Sequence, residues 1–316
     1  LKNQGELEEA IAAYQSAIEL NPRDADIHYN LGIAYADKKE PEKAIECYRQ
    51  TLALDPDYAP AYSNLGVVYH QLGKLEEAID CYRQALKLGH NAVANTHILA
   101  ALTGENTASA PAEYICNLFD HYAARFDHSL LTELEYQVPM LLSQALAAIM
   151  NKDCAFSHAV DLGCGTGLSG LPFRKGVEHL SGVDLSPKII KLAEDKKIYD
   201  ALHCGDLVEF LNERREQYDL FVAADVVIYL GDLRPLFEAV RKAAKPGAFF
   251  VFSTECRAEG DWQLRPSGRY AHSLSYIEQL AEKYRFHFKW HQTTGIRKEK
   301  GEWIEGDLII LQWAGR

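Results

Sequence analysis

The N-terminal third of this chain repeats its own sequence every 34 residues, and this periodicity restricts the fold more than any other feature. The positions in register carry identical residues in several sets: Ala10, Ala44 and Ala78; Ile11, Ile45 and Ile79; Tyr14, Tyr48 and Tyr82; Gly32 and Gly66; Pro22 and Pro56. A period of this length with small, aromatic and proline markers is typical of stacked pairs of antiparallel helices. The sequence therefore predicts an all-α domain over residues 1–104.

These markers are those of the tetratricopeptide repeat, in which each unit buries its apolar face by stacking on its neighbours. The first repeat contributes only its second helix, over residues 6–20, so we expect the array to continue upstream of Leu1. Residues 92–102 have the spacing of a first helix and are predicted to cap the stack. The concave surface of such a stack predicts a protein or peptide partner, or a homodimer.

Residues 105–150 connect the repeats to the rest of the chain. A polar stretch over 103–111 predicts a linker, and two helical patterns follow it, over 112–126 and 132–150. The first helix is rich in aromatic residues on one face. The sequence leaves two roles open for this face: it packs on the next domain, or its Tyr122 covers a ligand there and excludes water.

Residues 151–316 alternate between short apolar runs and helical patterns. The predicted strands are 159–162, 179–183, 199–203, 220–223 and 248–252, and the predicted helices between them are 187–197, 207–216 and 233–244. This order predicts an α/β domain with a parallel sheet and helices on both faces. Ligands of such sheets bind at the carboxyl ends of the strands, so the residues there form the candidate site.

Three glycines spaced by one residue follow the first strand: Gly163, Gly165 and Gly167. A glycine turn lets a ligand approach the backbone, because no side chain stands between them. The dinucleotide fingerprint requires a glycine where Leu168 stands, and the lysine of a phosphate-binding loop is also missing. Asp161 precedes the turn and would repel a phosphate. Two roles remain open for this carboxylate: it binds an amine or a cationic centre of a ligand, or it accepts hydrogen bonds from the backbone N–H groups of its own turn.

Acidic residues follow the next three strands. Asp184 follows the second strand, where a carboxylate accepts hydrogen bonds from ribose hydroxyls. Its alternative role, as the N-cap of the next helix, suits Ser186 better. Asp206 follows the third strand and either accepts from an adenine amine or caps a helix. Asp225 follows the fourth strand and faces the centre of the cleft, and together these residues predict a nucleoside ligand without phosphates.

This set of motifs resembles the class I S-adenosylmethionine-dependent methyltransferases, as does Lys245-Pro246-Gly247 before the fifth strand. The resemblance implies a Rossmann-like sheet of seven strands with the last one inserted antiparallel, which suits a terminal hairpin of 285–291 and 307–313. It also implies S-adenosyl-L-methionine as the cofactor. The residues implied to bind this cofactor are Asp161, Gly163, Cys164, Gly165, Gly167, Asp184, Leu185, Asp206, Leu207, Asp225 and Tyr122.

A narrower resemblance covers the whole chain and rests on two segments. These segments are Phe119-Asp120-x-Tyr122-Ala123-x-x-Phe126-Asp127-His128 and Pro266-Ser267-Gly268-Arg269-Tyr270-Ala271-His272-Ser273. Both are similar to segments of a bacterial group of predicted methyltransferases that carry tetratricopeptide repeats. Because this group has no general substrate assignment, the resemblance implies the architecture and leaves the acceptor open.

The loop over 265–272 follows the fifth strand, where such enzymes place substrate contacts. Arg265 and Arg269 either pair with an acidic acceptor, which slightly favours O-methylation of a carboxylate, or form surface salt bridges. His272 or Tyr229 would instead deprotonate a hydroxyl or an amine. We therefore predict Tyr229, His272 and Arg269 as catalytic residues. No metal site is predicted, because the histidines are dispersed and lack ligand spacing.

Bulk properties restrict the partners and the compartment. The formal charge of −12 and the pI near 5.5 argue against nucleic-acid binding. The sequence holds no run of 18 apolar residues, so no membrane association is predicted. Seven cysteines without a C-x-x-C pair indicate a reducing, cytoplasmic environment.

Two functions follow from these observations. The first is an S-adenosylmethionine-dependent methyltransferase whose repeats recruit a substrate or a partner. The acceptor is then a peptide, a protein or an acidic small molecule. The alternative is a repeat scaffold whose methyltransferase domain binds a nucleoside without catalytic activity.

Overall fold

The computed structural model describes residues 2–123, 126–150, 155–299 and 301–315. The chain divides into two compact units, Leu1–Glu105 and Asn106–Arg316. The described part of the first unit consists of helices and short turns. Its helices are α1 Lys2–Leu20, α2 Ala25–Asp37, α3 Pro41–Leu54, α4 Ala59–Gln71, α5 Leu75–Lys87 and α6 Ala92–Thr103.

Close pairing of helices explains the 34-residue period of the first unit. A Cβ atom at Gly32 would lie 2.6 Å from the ring of Tyr48, and one at Gly66 would lie 3.0 Å from the ring of Tyr82. The two pairs occupy equivalent repeat positions, so each glycine makes room for the tyrosine of the following helix. Both tyrosines are buried in the core of this unit. The tetratricopeptide architecture is confirmed, and α6 stands where the capping helix is predicted.

The second unit is built on one mixed sheet. Its described strands are β1 Phe156–Leu162, β2 Val177–Asp184, β3 Ala201–Cys204, β4 Tyr218–Ala223, β5 Ala244–Arg257, β6 Trp262–Leu264, β7 Tyr270–Ser273, β8 Phe286–Glu299 and β9 Glu302–Trp313. The first five run parallel in the order β3-β2-β1-β4-β5. Strand β9 lies antiparallel between β5 and β8, and β7 and β6 extend the sheet from the end of β5. The structure confirms the predicted Rossmann-like sheet and its terminal antiparallel hairpin, and the short strands β6 and β7 bring the described sheet to nine strands where seven were expected.

Alternation along the strands divides the core of this unit into two layers. The helices of the unit are α7 Ala112–Tyr122, α8 Phe126–His128, α9 Val138–Ile149, α10 Pro187–Lys196, α11 Leu207–Asn212, α12 Arg234–Ala243 and α13 Leu274–Tyr284. On β4, Phe221 packs with residues of α11, α12 and α13, whereas Val222 packs with residues of α9. Successive residues of one strand thus meet helices on opposite faces of the sheet.

Two segments before the sheet differ from the prediction. The second connecting helix begins at Val138 and not near 132, because Pro139 is tolerated only in the first turn of a helix. Residues 106–111 of the stretch predicted as a linker belong to the second unit and form hydrogen bonds within it. The N–H of Ala110 donates to the carbonyl of Tyr229 at 2.9 Å, and Asn106 donates to the carbonyl of Trp262 at 2.8 Å.

No helix of the described ranges is both long and apolar enough to cross a membrane. In the same ranges, no group of His, Cys, Asp and Glu side chains is arranged to hold a metal ion.

Candidate functional site

The carboxyl ends of the first four strands open into a cavity of 630 Å³, a size that is common for small-molecule sites. The predicted site residues that line it are Gly163, Cys164, Gly165, Asp184, Leu185, Asp206, Leu207, Asp225, Tyr229 and Arg269. Three predicted residues lie elsewhere: Asp161, Gly167 and His272. The side chain of Tyr122 lies outside the described residues.

The glycine loop after β1 adopts a backbone that suits glycine. Gly163 has φ = 69°, and its N–H donates to the carbonyl of Val183 at 2.8 Å. A Cβ atom at Gly163 would lie 2.4 Å from Cγ2 of Val226. The absence of this Cβ lets the loop pack against the residues after β4. Cys164 and Gly165, which follow in the loop, then line the cavity.

Asp184 ends β2 beside the glycine loop. Its Oδ2 accepts a hydrogen bond from the N–H of Gly165 at 3.0 Å, and its Oδ1 accepts from the N–H of Ser186 at 2.9 Å. Burial raises the pKa of Asp184, whereas these backbone hydrogen bonds lower it. The hydroxyl of Ser186 caps α10 by accepting from the N–H of Ile189. The helix therefore does not need Asp184 as its cap, and the carboxylate is left at the cavity wall.

Asp206 is the N-cap of α11, which is one of the two roles that the sequence leaves open. Its Oδ1 accepts from the N–H groups of Val208 and Glu209 at 2.8 and 2.9 Å. The residue also lines the cavity, and no hydrogen bond from a described residue reaches its Oδ2. Because one oxygen completes the cap, the other remains available to a ligand.

Asp161 lies behind the glycine loop, which corrects its predicted place beside the ligand. Its Oδ2 accepts from the hydroxyls of Ser169 at 2.6 Å and Tyr199 at 2.7 Å. Burial raises the pKa of Asp161 to about 6, and these two hydrogen bonds oppose the rise. Its Oδ1 is buried and has no hydrogen-bond partner among the described residues. The carboxylate thus holds the loop through side-chain hydroxyls, and Gly167 lies on the same inner side, next to Tyr199.

Helix α7 closes the cavity with an apolar face, which we call the cover. The cover consists of Tyr114, Ile115, Leu118 and Phe119, all of which line the cavity. The rings of Phe119 and Tyr229 meet edge to face, with 5.6 Å between their centroids. This face therefore packs on the domain and also lines the candidate ligand site. The cover role predicted for Tyr122 itself falls on a side chain outside the described residues.

Two aspartates of the quoted 119–128 segment connect α7 and α8 to the site. Asp120 on α7 accepts from the hydroxyl of Ser186 at 2.6 Å, just after β2. Asp127 on α8 accepts from Nζ of Lys196 at 2.6 Å and also from the hydroxyl of Thr166. Asp120 therefore holds the helix of the cover, and Asp127 holds α8 to the glycine loop, to which Thr166 belongs.

A buried arginine that the sequence analysis misses organises the far end of the cavity. Arg297 on β8 is 1% exposed, and its guanidinium donates to Asp225 at 2.8 Å, to Glu299 at 3.0 Å, and to Glu255. Glu299 also accepts from Arg269. The alternation of side chains on a strand places residues 297 and 299 on the same face. The spacing of Arg297 and Glu299 by two positions was therefore the signal from which the sequence could have indicated this charged pair.

The structure corrects one of the three predicted catalytic residues, His272. His272 is fully buried on β7, its Nε2 lies 3.0 Å from the carbonyl oxygen of Gly231, and burial lowers its pKa to about 4. It therefore has no access to an acceptor in the cavity. Tyr229 lines the cavity, where burial raises the pKa of its phenol and favours the protonated form that donates hydrogen bonds. Its catalytic role stays a prediction.

The arginines predicted to bind an acidic acceptor are already paired. Arg269 donates to Glu299 and lines the cavity. Arg265 is absent from the cavity wall, donates to the carbonyl of Cys256 and lies 4.0 Å from Glu255. The sequence argument for a carboxylate acceptor depends on free guanidinium groups, so these pairings remove its support.

Three family models match the chain. A TPR repeat model covers residues 1–39, and a tetratricopeptide repeat model covers residues 23–91. A methyltransferase domain model covers residues 160–250. This last range runs from β1 into β5 and includes the glycine loop and the aspartates that follow the strands.

Curated relatives are similar to part of the chain. The mitochondrial ubiquinone biosynthesis O-methyltransferase of Rattus norvegicus is 27% identical over 158 residues, which are 46% of this chain and 44% of that protein. The malonyl-[acyl-carrier protein] O-methyltransferase of Salmonella typhimurium is 26% identical over 131 residues, which are 40% and 51% of the two chains. The chain spans about half the length of the curated relatives it matches.

A solved structure is similar to this chain in fold. The N-methyltransferase NodS from Bradyrhizobium japonicum WM9, in complex with S-adenosyl-l-homocysteine, has a TM-score of 0.50. It is 20% identical in sequence, and the match covers 62% of this chain and 97% of that one. At this level of identity the similarity concerns the fold alone.

Proposed function

We propose that this chain, which joins tetratricopeptide repeats to a class I methyltransferase domain, is an S-adenosylmethionine-dependent O-methyltransferase. The observation that carries the proposal is the carboxylate of Asp184, held by the N–H of Gly165 at the wall of the cavity. A carboxylate at this place suits ribose hydroxyls and repels phosphates. The names of the two O-methyltransferase relatives support an oxygen as the acceptor atom.

The residues of the cavity fit the parts of this cofactor. Asp184 would accept hydrogen bonds from the ribose hydroxyls. The free Oδ2 of Asp206 would accept from the adenine amine, and Leu207 would lie beside the base. The methionine part would lie against the loop of Gly163 and Gly165, which carry no Cβ atom. Asp161 would support this loop from behind through the hydroxyl of Ser169.

The chain's own contribution is alignment and exclusion of water. S-adenosylmethionine supplies a methyl group on a positively charged sulfur, so the carbon–oxygen bond forms as the carbon–sulfur bond breaks. The protein has to bring the acceptor oxygen into line with this methyl group. Ile115, Leu118 and Phe119 place apolar surface over the cavity, and Asp120 on the same helix holds that surface against the site.

The repeats supply the second part of the proposal. A stack of helix pairs offers a concave surface that would recruit a protein or peptide, as the substrate or as a partner, or a second copy of the chain. The described cysteines are all free thiols, which supports a reducing, cytoplasmic location.

Calorimetric titration of the full chain with S-adenosylhomocysteine tests the cofactor assignment. We expect Asp184→Asn to weaken binding about tenfold, because a neutral amide is a poorer acceptor for ribose hydroxyls than a carboxylate. The control is Asp195→Asn, which removes an exposed carboxylate on α10 and should leave binding unchanged. Absence of binding at submillimolar ligand would reject the proposal. Equal affinity of the Asp184→Asn variant would reject the role given to Asp184.

A further inference from the structure

Asp225 is held at the cavity wall by contacts that its predicted role as a cofactor contact does not explain. It follows β4 with φ = 59°, a left-handed conformation that is uncommon outside glycine. Its N–H donates to the hydroxyl of Ser253 at 2.9 Å, and its Oδ1 accepts from Nη1 of Arg297 at 2.8 Å. No described residue donates to its Oδ2, and the side chain keeps 16% of its surface exposed. One oxygen is therefore fixed by the protein, and the other remains available at the wall.

The positive charges around Asp225 are matched by carboxylates. Arg297 donates to Asp225, Glu255 and Glu299, and Glu299 accepts from Arg269 as well. At the cavity wall, two guanidinium groups thus face the carboxylates of Asp225 and Glu299. Glu255 is not part of the wall and also lies 4.0 Å from Arg265. An anionic acceptor would meet no unpaired cation among the described residues of the cavity wall. Such an acceptor would also give up its hydration beside the carboxylates of the wall, which costs free energy.

We propose that Asp225 is a catalytic residue that binds the hydroxyl group of the acceptor, and that the acceptor is an uncharged alcohol or phenol. The proposal rests on the proposed methyl transfer and names its substrate class. Oδ2 of Asp225 accepts a hydrogen bond from the acceptor hydroxyl, which directs a lone pair of the oxygen toward the methyl group. Arg297 keeps the carboxylate in this orientation because it holds Oδ1.

The transfer balances in atoms and charge. The bond between the acceptor oxygen and the methyl carbon forms while the bond between that carbon and sulfur breaks, and the electron pair of the broken bond stays on sulfur. The hydroxyl proton passes to Oδ2 of Asp225 and then to solvent, which restores the carboxylate. The products are a methyl ether, S-adenosylhomocysteine and a proton.

A matched pair of small probes tests the substrate class on the full chain. The probes 4-hydroxybenzamide and 4-carbamoylbenzoate share a ring and an amide, and they differ only in a hydroxyl and a carboxylate. Both are titrated at millimolar concentration by ligand-observed NMR into protein saturated with S-adenosylhomocysteine. The binding of S-adenosylhomocysteine is measured first, so a failure of the proposed function is seen separately. We expect the hydroxyl probe to bind about tenfold more tightly than the carboxylate probe.

Two variants decide whether Asp225 itself makes this contact. Asp225→Asn should abolish the preference for the hydroxyl probe and leave the affinity for S-adenosylhomocysteine unchanged. Glu255→Gln is the matched control, because Glu255 also accepts from Arg297 but does not line the cavity. The preference should persist in that control.

Several results would overturn the proposal. They are tighter binding of the carboxylate probe, no binding of either probe, and a preference that survives Asp225→Asn. Equal loss of the preference in both variants would mean that Asp225 acts only as a partner of Arg297. Loss of S-adenosylhomocysteine binding in Asp225→Asn would make the residue a cofactor contact. Either result rejects the role proposed here.

Discussion

The free energy of unfolding of the second unit should depend on pH through the carboxyl group of Asp161, and the substitution Asp161→Asn should remove this dependence. Asp161 is fully buried, and burial raises its pKa from the usual value of 3.8 to about 6. Between these two values the folded chain holds a proton that the unfolded chain has released. Stability therefore falls as the pH rises through this window, and the full penalty applies above pH 6.

The size of the effect follows from the shift. At about 1.4 kcal/mol per pKa unit, the complete penalty is about 3 kcal/mol. About 1.3 kcal/mol of it should appear between pH 5 and pH 7. Asparagine keeps an oxygen that accepts from the hydroxyls of Ser169 and Tyr199, and it carries no charge to desolvate. The variant should therefore gain stability relative to the parent chain as the pH rises.

Urea unfolding of both chains between pH 5 and pH 7 measures this difference. The four tryptophans, Trp262, Trp290, Trp303 and Trp313, all belong to the second unit, so their fluorescence reports its unfolding. Asp195→Asn, an exposed site on α10, is the matched control and should run parallel to the parent chain. A difference between the Asp161→Asn variant and the parent that stays constant with pH would refute the argument from burial.

Three further predictions concern the glycine loop, helix α8 and the charged network. Gly163→Ala should destabilise the second unit by about 3 kcal/mol, because the added Cβ clashes with a valine and the backbone is left-handed. The same urea titration should find Gly176→Ala close to the parent chain, since no atom lies within 4 Å of that Cβ. Asp127→Asn should weaken S-adenosylhomocysteine binding about tenfold in calorimetry, because the glycine loop and α10 lose a charged contact to α8. Unchanged affinity would show that the binding site does not depend on this aspartate. Arg297→Met should destabilise the second unit by about 3 to 5 kcal/mol, because three carboxylates lose their shared cation. A thermal midpoint equal to that of the parent would contradict this account of the network.

Sequence patterns over short ranges predicted most of the helices and strands of this chain. The 34-residue period predicts the helix pairs, because the small residue at Gly32 and the ring of Tyr48 are needed at fixed repeat positions. The apolar runs predict the parallel strands, although the helix expected from 132 begins only at Val138. The proline next to this residue was the local signal for the later start.

Side-chain orientation was harder to predict than the elements themselves. His272 and Arg269 belong to one predicted substrate loop, but His272 is buried in the core and Arg269 lines the cavity. Alternation along a strand decides which residue faces which side, and the four-residue strand β7 was too short to be recognised after Pro266 and Gly268. For this reason the prediction of His272 as a base was wrong.

The sequence by itself determined the candidate nucleoside site. In a parallel sheet all carboxyl ends meet at one edge, so chain order alone brings Asp184, Asp206 and the glycine loop together. Only the tertiary structure decided the chemistry of the acceptor end. Arg297 reaches Asp225 across 72 residues of sequence, and this pairing depends on the insertion of β9 beside β5. The burial that raises the pKa of Asp161 and the pairing of Arg269 with Glu299 are likewise properties of the packed domain.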